Sequence, residues 1–112
     1  MQAPAEAILA AIRVVPRGQV AGYGVIARRA GLPGRARLVA RVLGQNEDSR
    51  LPWHRILRSD GRIAFPPDSP GFAEQCQRLR GEGVDVRNGR VRMPREDPLD
   101  PRGLDAEVWS PR

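Results

Sequence analysis

Lysine is absent from this chain of 112 residues, and all 19 basic side chains are arginine. A bias in codon use would account for the choice of arginine, but not for a net charge of +6. Cysteine is almost absent too. The single Cys76 excludes an internal disulfide and suits a reducing cytoplasm. One histidine and one cysteine, far apart in the chain, are too few for a structural zinc site. No apolar run approaches the roughly 20 residues needed to span a bilayer. Nor does a basic segment followed by a long apolar stretch open the chain, so no secretory signal is expected. What remains is one small domain with a modest core, expected to need no metal or cofactor and to act in the cytoplasm.

The charge that is present is unevenly spread. From Arg95 onward there are three arginines against five acids, whereas residues 1–93 carry sixteen arginines against eight acids, a net +8. A surface of that kind attracts polyanions through phosphate contacts and counterion release, so nucleic acid is the expected partner. Residues 94–112 mix prolines and acids without periodicity, which predicts a flexible tail following a folded unit over 1–93. Trp109 in that tail is either exposed or docked back on the domain.

Periodicity predicts a first helix over Pro4 to Val15, with Ile8, Ile12 and Val15 on one face and Pro16 ending it. A second helix follows from Tyr23 to Ala30. Gly31-Leu32-Pro33-Gly34 forces a break. A third helix, Arg35 to Leu43, has Leu38, Val39, Val42 and Leu43 as its apolar set and Arg35, Arg37 and Arg41 on the other face. Two short helices of which the second is basic outline a helix-turn-helix. His54 to Leu57 and Ile63 to Phe65 are expected to pair as a hairpin around Asp60-Gly61. A fourth helix spans Gly71 to Arg80, and Val84-Asp85-Val86 is expected to pair with Arg90-Val91-Arg92 across Asn88-Gly89, a strong type I′ turn signal.

The chemistry centres on Pro52-Trp53-His54-Arg55. This segment resembles the Pro-Cys-His-Arg active-site motif of the alkylguanine DNA alkyltransferases, with Trp53 standing where the reactive cysteine would be. The likeness runs from about Val14 to Val86 and begins at Pro16-Arg17-Gly18-Gln19-Val20. It identifies the chain as similar to the alkyltransferase-like proteins. The resemblance implies a small α/β winged-helix-like domain with a helix-turn-helix and a short β-hairpin. It implies binding of guanine alkylated at O6 in double-stranded DNA, entered from the minor groove, with the nucleotide flipped out and no alkyl transfer. It further implies that the bound lesion is flagged for nucleotide excision repair proteins, by a chain acting as a monomer.

Residue roles follow from the same likeness. Tyr23 matches a tyrosine that presses on the phosphate 3′ of the target, and Arg37 matches an arginine finger that takes the place of the extruded base. Asn46 matches an asparagine supporting the active-site loop. Pro52, His54 and Arg55 complete the signature, and Glu82 matches the glutamate that bonds the motif histidine. Phe65 or Pro66 falls where the enzymes place an aromatic on the lesion's far face. Arg62 is the nearest candidate for an arginine that some alkyltransferase-like proteins put in that loop.

The physical chemistry agrees with these roles. Flipping costs a few kcal/mol of unstacking and unpairing, and a planar guanidinium can both stack in the gap and bond the orphaned base. Arg35 and Arg41, like Arg37 in its plainer reading, suit phosphate contacts. A thiolate is a strong nucleophile, whereas an indole is an apolar face with one weak donor, so Trp53 suits a pocket floor or wall and cannot accept an alkyl group. His54 then has no nucleophile to activate, and its pair with Glu82 serves to shape the pocket. Cys76, in Phe72-x-x-x-Cys76-x-x-Leu79, reads as a buried inert thiol. A sequence-specific regulator reading base edges through Arg35, Arg37 and Arg41 is the alternative, but it leaves the Pro52 to Arg55 segment and Glu82 without a purpose.

Overall fold

Proline and alanine open the first element. In the computed structural model, which describes residues 3–94, α1 covers Pro4–Arg13 with Pro4 in its first turn, Glu6 near its N-terminus and Arg13 in its last turn. Each charge complements the helix dipole at its own end. The helix stops short of Val15, where the sequence reading placed its end. Pro16 keeps Val15 out of the helical region, and the chain turns so that Val14 is 70% exposed and Val15 enters the core at 2%.

The next elements are β1 (Ala21–Gly22), α2 (Tyr23–Arg29) and α3 (Ala36–Gln45). Gly31, at φ 80°, closes α2. Leu32 N–H donates to the Ala27 carbonyl at 2.8 Å and Gly31 N–H to Arg28 at 3.0 Å. That crossed pair satisfies carbonyls the helix end would leave open, and it needs a residue free to adopt positive φ. The α2–turn–α3 unit packs against α1 around Ile8, Ile12, Ile26, Val39 and Val42. The expected helix-turn-helix is therefore present, with its limits one or two residues from those read in the sequence.

A single helical turn over Trp53–Arg55 leads into β2 (Ile56–Leu57). The expected hairpin of His54 to Leu57 with Ile63 to Phe65 does not form. β2 pairs in parallel with β1, Ala21 opposite Ile56 and Gly22 opposite Leu57. The Asp60-Gly61 turn does close, through Arg58 N–H to the Arg62 carbonyl at 3.0 Å, but the arm beyond it leaves β2. Arg62 bridges to Arg90, and Ile63 N–H donates to Gly89 at 2.9 Å. The arm is drawn away because Gly61 lies directly on the backbone of Val91, and its carbonyl accepts from Val91 N–H at 2.9 Å.

The last elements are α4 (Pro70–Gly81), β3 (Val86–Arg87) and β4 (Arg90–Val91). Ser69 caps α4 by accepting from Phe72 N–H at 3.3 Å, with Pro70 in the first turn. The β3–β4 hairpin turns at Asn88 and Gly89 with φ of 54° and 71°, the double positive φ that the Asn-Gly pair signals. Its apolar residues join Leu57, Ile63, Cys76 and Leu79 in a second cluster. Successive strand residues point to opposite sides, so Ile56 belongs to the first cluster and Leu57 to the second. The architecture is a small α/β winged-helix-like domain. No described helix is long and apolar enough to cross a membrane. The tail after Pro94, Trp109 included, lies outside the described residues.

Candidate nucleic-acid interface

Leu51, 2% exposed, anchors the motif from below. Trp53 N–H reaches back to the Leu51 carbonyl at 2.7 Å, and Arg55 N–H to that of Pro52 at 3.1 Å. The tight turn turns His54 inward and leaves Trp53 half-buried. Asn46 braces the loop ahead of it: its Nδ2 donates to the Asp48 carbonyl and its Oδ1 accepts from Asp48 N–H, both at 3.1 Å.

Behind the turn, one carboxylate organises four donors. Gly83, at φ 85°, ends α4 with Val84 N–H on the Leu79 carbonyl, which leaves Glu82 at the helix C-cap. A carboxylate there opposes the helix dipole and is held by its partners. Arg55 donates Nε to Oε1 at 3.0 Å and Nη2 to Oε2 at 2.8 Å, His54 Nε2 lies 2.7 Å from Oε2, and Gly18 N–H donates to Oε1 at 3.2 Å. The Arg55 bonds, followed by those of His54 and Gly18, outweigh burial and lower the Glu82 carboxyl to about 2. An ionised carboxylate only accepts, so His54 must carry its hydrogen on Nε2. Nδ1 of His54 is buried with no hydrogen-bond partner among the described residues. Arg55 also donates Nη1 to the Val15 carbonyl at 2.8 Å, which ties the motif to the end of α1.

This network has a predictable pH signature. A carboxylate lowered from 4.5 to about 2 contributes stability that is complete above 4.5 and is lost as pH falls through 2. Glu82→Gln should cost about 3 kcal/mol at neutral pH. The gap between wild type and variant should close progressively below about pH 4. Urea unfolding midpoints measured across that range test both statements.

In front of the turn lies a half-open cavity of about 560 Å³, in the range that takes a whole small molecule. Trp53 forms one wall. Phe65 meets it edge-on at 6.0 Å between ring centroids, His54 does the same from behind at 6.0 Å, and the Arg78 guanidinium lies 5.6 Å from its ring centre. Tyr23, the first residue of α2, lines the same cavity, as do Asn46 and, from α3, Ala40, Leu43 and Gly44. Burial raises the Tyr23 hydroxyl pKa against the opposing charge of Arg58, so the phenol stays neutral. The opposite end of α3 presents Arg35, Arg37 and Arg41 around a shallow groove. One helix thus joins a basic groove to an aromatic-walled cavity.

Arg62 does not join them. It lines an adjoining groove with Arg58, Arg87 and Arg90, on the other side of Ala64, Phe65 and Pro66, and its Nε lies 3.5 Å from Asp60. The altered course of the arm after Gly61 carries it there, and Phe65 and Pro66 line the cavity instead. Several contributors have no sequence signal of their own. Gln75, 3% exposed, donates Nε2 to the carbonyls of His54 at 3.0 Å and Ile56 at 3.1 Å, fixing the backbone on either side of Arg55. An amide beside the Phe72–Cys76–Leu79 stripe was the available hint. Gly71 lies against the Phe65 ring, where a Cβ would come within 2.7 Å. Arg78 is held by Glu74 at 2.8 Å, an i,i+4 pair visible only as helix periodicity.

A helix-turn-helix with three arginines at the start of its second helix, set beside a cavity walled by an indole, defines a small DNA-binding domain. Residues 3–84 match the family of the 6-O-methylguanine DNA methyltransferase DNA-binding domain. Over 80 residues the chain is 42% identical to a DNA base-flipping protein of Vibrio parahaemolyticus, covering 70% of this chain and 78% of that one. Over 77 residues it is 38% identical to alkyltransferase-like protein 1 of Schizosaccharomyces pombe, covering 68% and 71%. Among solved structures, S. pombe Atl1 in complex with damaged DNA containing O6-carboxymethylguanine superposes with a TM-score of 0.72 at 31% identity, over 84% of this chain and 93% of that one. Mycobacterium tuberculosis OGT in complex with DNA is similar with a TM-score of 0.65 at 26% identity, over 73% of this chain but 50% of that one. The chain belongs to the alkyltransferase DNA-binding-domain family, as one of its alkyltransferase-like members.

Proposed function

We propose that this protein binds O6-alkylguanine in double-stranded DNA by turning the damaged nucleotide into the Trp53 cavity, without taking its alkyl group, and so marks it for nucleotide excision repair. The observation that carries the reading is the placement of Trp53: an indole braced by Phe65, His54 and Arg78 on the wall of a base-sized cavity that shares α3 with the arginine groove. A π-face of this kind stacks on any base and suits a flipped one. The likeness to a base-flipping protein and to a chain crystallised on damaged DNA supports the same conclusion.

In this reading Arg37 fills the gap left in the duplex, Tyr23 presses on the adjacent backbone, and Arg35 and Arg41 hold phosphates. Phe65 closes the far side of the cavity. The motif carries no group able to accept an alkyl carbon. Cys76, the one thiol, is 6% exposed in the second apolar cluster and is not among the residues lining the Trp53 cavity. His54 and Glu82 then act as struts for the loop. The protein works as a monomer in the cytoplasm, with DNA as its ligand and repair proteins recruited to the complex.

The test is a competition between duplexes that differ only in an O6-methyl group on one guanine, paired with intact-protein mass. The expected result is tighter binding to the methylated duplex, weakening with added salt, and no gain in protein mass. Arg37→Ala should reduce the preference for the lesion, whereas Arg41→Ala should weaken both duplexes alike and lower the salt slope by about one unit. Equal affinity for the two duplexes would favour an ordinary helix-turn-helix regulator, and a gain of one methyl group would make the protein an alkyl acceptor.

A further inference from the structure

The sign of charge around the cavity is opposite to that of the domain. Three acidic residues line it, Glu47, Asp48 and Glu74, and no arginine does, although the described residues hold twice as many arginines as acids. The acids enter from two sides. Glu47 and Asp48 lie in the loop braced by Asn46, and Glu74 faces them from α4. The nearest guanidinium with a ring contact, that of Arg78, is kept on the face of Trp53 by its 2.8 Å pair with Glu74. Asp48 has partners too, accepting Arg50 N–H at 2.9 Å, with the exposed Arg50 guanidinium 3.7 Å from the same carboxylate.

Carboxylates at the mouth of a DNA-binding cavity weaken attraction for the backbone whichever lesion is bound. They discriminate between lesions only through the substituent on the base. A neutral O6 substituent meets the indole and phenyl faces, and the guanine amino group is a donor that the surrounding oxygens can accept. A substituent ending in a carboxylate would instead bring a further negative charge beside three lining carboxylates, and the guanidinium groups next to them, Arg78 and Arg50, already face Glu74 and Asp48.

We propose that this cavity selects its adduct by charge, admitting guanines whose O6 substituent is neutral and disfavouring those that carry a carboxylate, with Glu74 the principal determinant. The proposal rests on the lesion-binding function set out above. Glu74 has the leading part because it acts twice: it supplies a carboxylate to the lining from α4, and it engages the Arg78 guanidinium in a 2.8 Å pair, so that this cation is not free to meet a substituent. The pair is half exposed, so solvent damps the effect, and a preference of about fivefold is the expected size.

The experiment compares four duplexes identical except at one guanine: unmodified, O6-methyl, O6-carboxymethyl, and O6-carbamoylmethyl, the neutral isostere of the third. The wild-type protein should bind the carbamoylmethyl duplex about five times more tightly than the carboxymethyl one. Glu74→Gln, which keeps the shape of the side chain while removing its charge and releasing Arg78, should reduce that ratio to near one. Equal binding of the two isosteres by the wild type overturns the proposal. So does a ratio that is unchanged in both Glu74→Gln and Glu47→Gln, since the discrimination would then owe nothing to the lining carboxylates. The unmodified and methylated duplexes keep the two claims apart: loss of preference there removes the lesion-binding function itself.

Discussion

Trp53→Ala should abolish most of the preference for alkylated DNA while leaving a folded protein that still binds duplexes. Stacking of a base on an aromatic side chain is worth about 1–3 kcal/mol by alanine substitution, so a loss of about tenfold or more in lesion affinity is expected. The effect exceeds the removal of one ring. Phe65 and Arg78 both take their positions against the indole, and each loses its contact when it goes. Under the proposed function, binding to unmodified DNA rests on Arg35, Arg37 and Arg41 around the groove at the start of α3 and should change little. Trp53→Phe should recover part of the preference, because a smaller π-face remains. Competition binding with methylated and unmodified duplexes reads the effect, and a thermal melt checks that folding is retained. A variant that keeps full lesion preference would remove the indole from the recognition surface.

Gly61→Ala should be the most damaging single methyl group in the domain. The glycine adopts φ 91°, and a Cβ there would lie 2.1 Å from the Val91 carbonyl oxygen. Neither the backbone conformation nor the contact can relax cheaply, because Gly61 also exchanges hydrogen bonds with Arg58 and Val91. A loss of about 3–4 kcal/mol is expected from strain and displacement together. For a domain of this size that lowers the melting temperature by roughly 15 °C or more. Gly81→Ala is the matching control: it lies in the last turn of α4 with nothing within 4 Å of the added carbon, so it should be neutral or stabilise by up to about 1 kcal/mol. Calorimetry on the two variants separates the positions. Similar melting temperatures would mean that the second arm of the Asp60-Gly61 turn is free to move.

Helix positions were legible because each depends on neighbours in the chain. Pro4, Gly31 and Gly83 mark ends by what their own backbones can or cannot do, and Ser69 by its side-chain cap. The Asn88-Gly89 turn was legible for the same reason. The Asp60-Gly61 turn shows the limit. Its local signal is genuine and the turn forms, but which strand each arm joins is decided by β1 and β4, both distant in sequence. The course of its second arm puts Arg62 in the groove next to the cavity and outside the cavity's own lining. The pairing of His54 with Glu82 came from family likeness, and that of Arg55 with the same carboxylate had no sequence signal, since 27 residues separate Arg55 and Glu82 and no periodicity relates them. Gln75, Gly71 and the Glu74–Arg78 pair are ordinary helix residues in one dimension, and they acquire meaning only when α4 is packed beside the motif.

The parallel pair of β1 and β2 sets the jaw width of the molecule. Ala21 and Gly22 run straight into Tyr23, and Ile56 and Leu57 follow directly from the Trp53 turn, so the two sides of the cavity are joined at their bases by a shared ladder. A vice with fixed jaws does not adapt to its workpiece. Under the proposed function the duplex must supply the whole distortion, and its own compliance becomes part of the affinity. A damaged guanine beside a soft pyrimidine–purine step would open into such a vice more cheaply than one embedded in a stiff A-tract. The mechanics of the flanking base steps, which no side chain needs to read, would then help decide which lesions are found first.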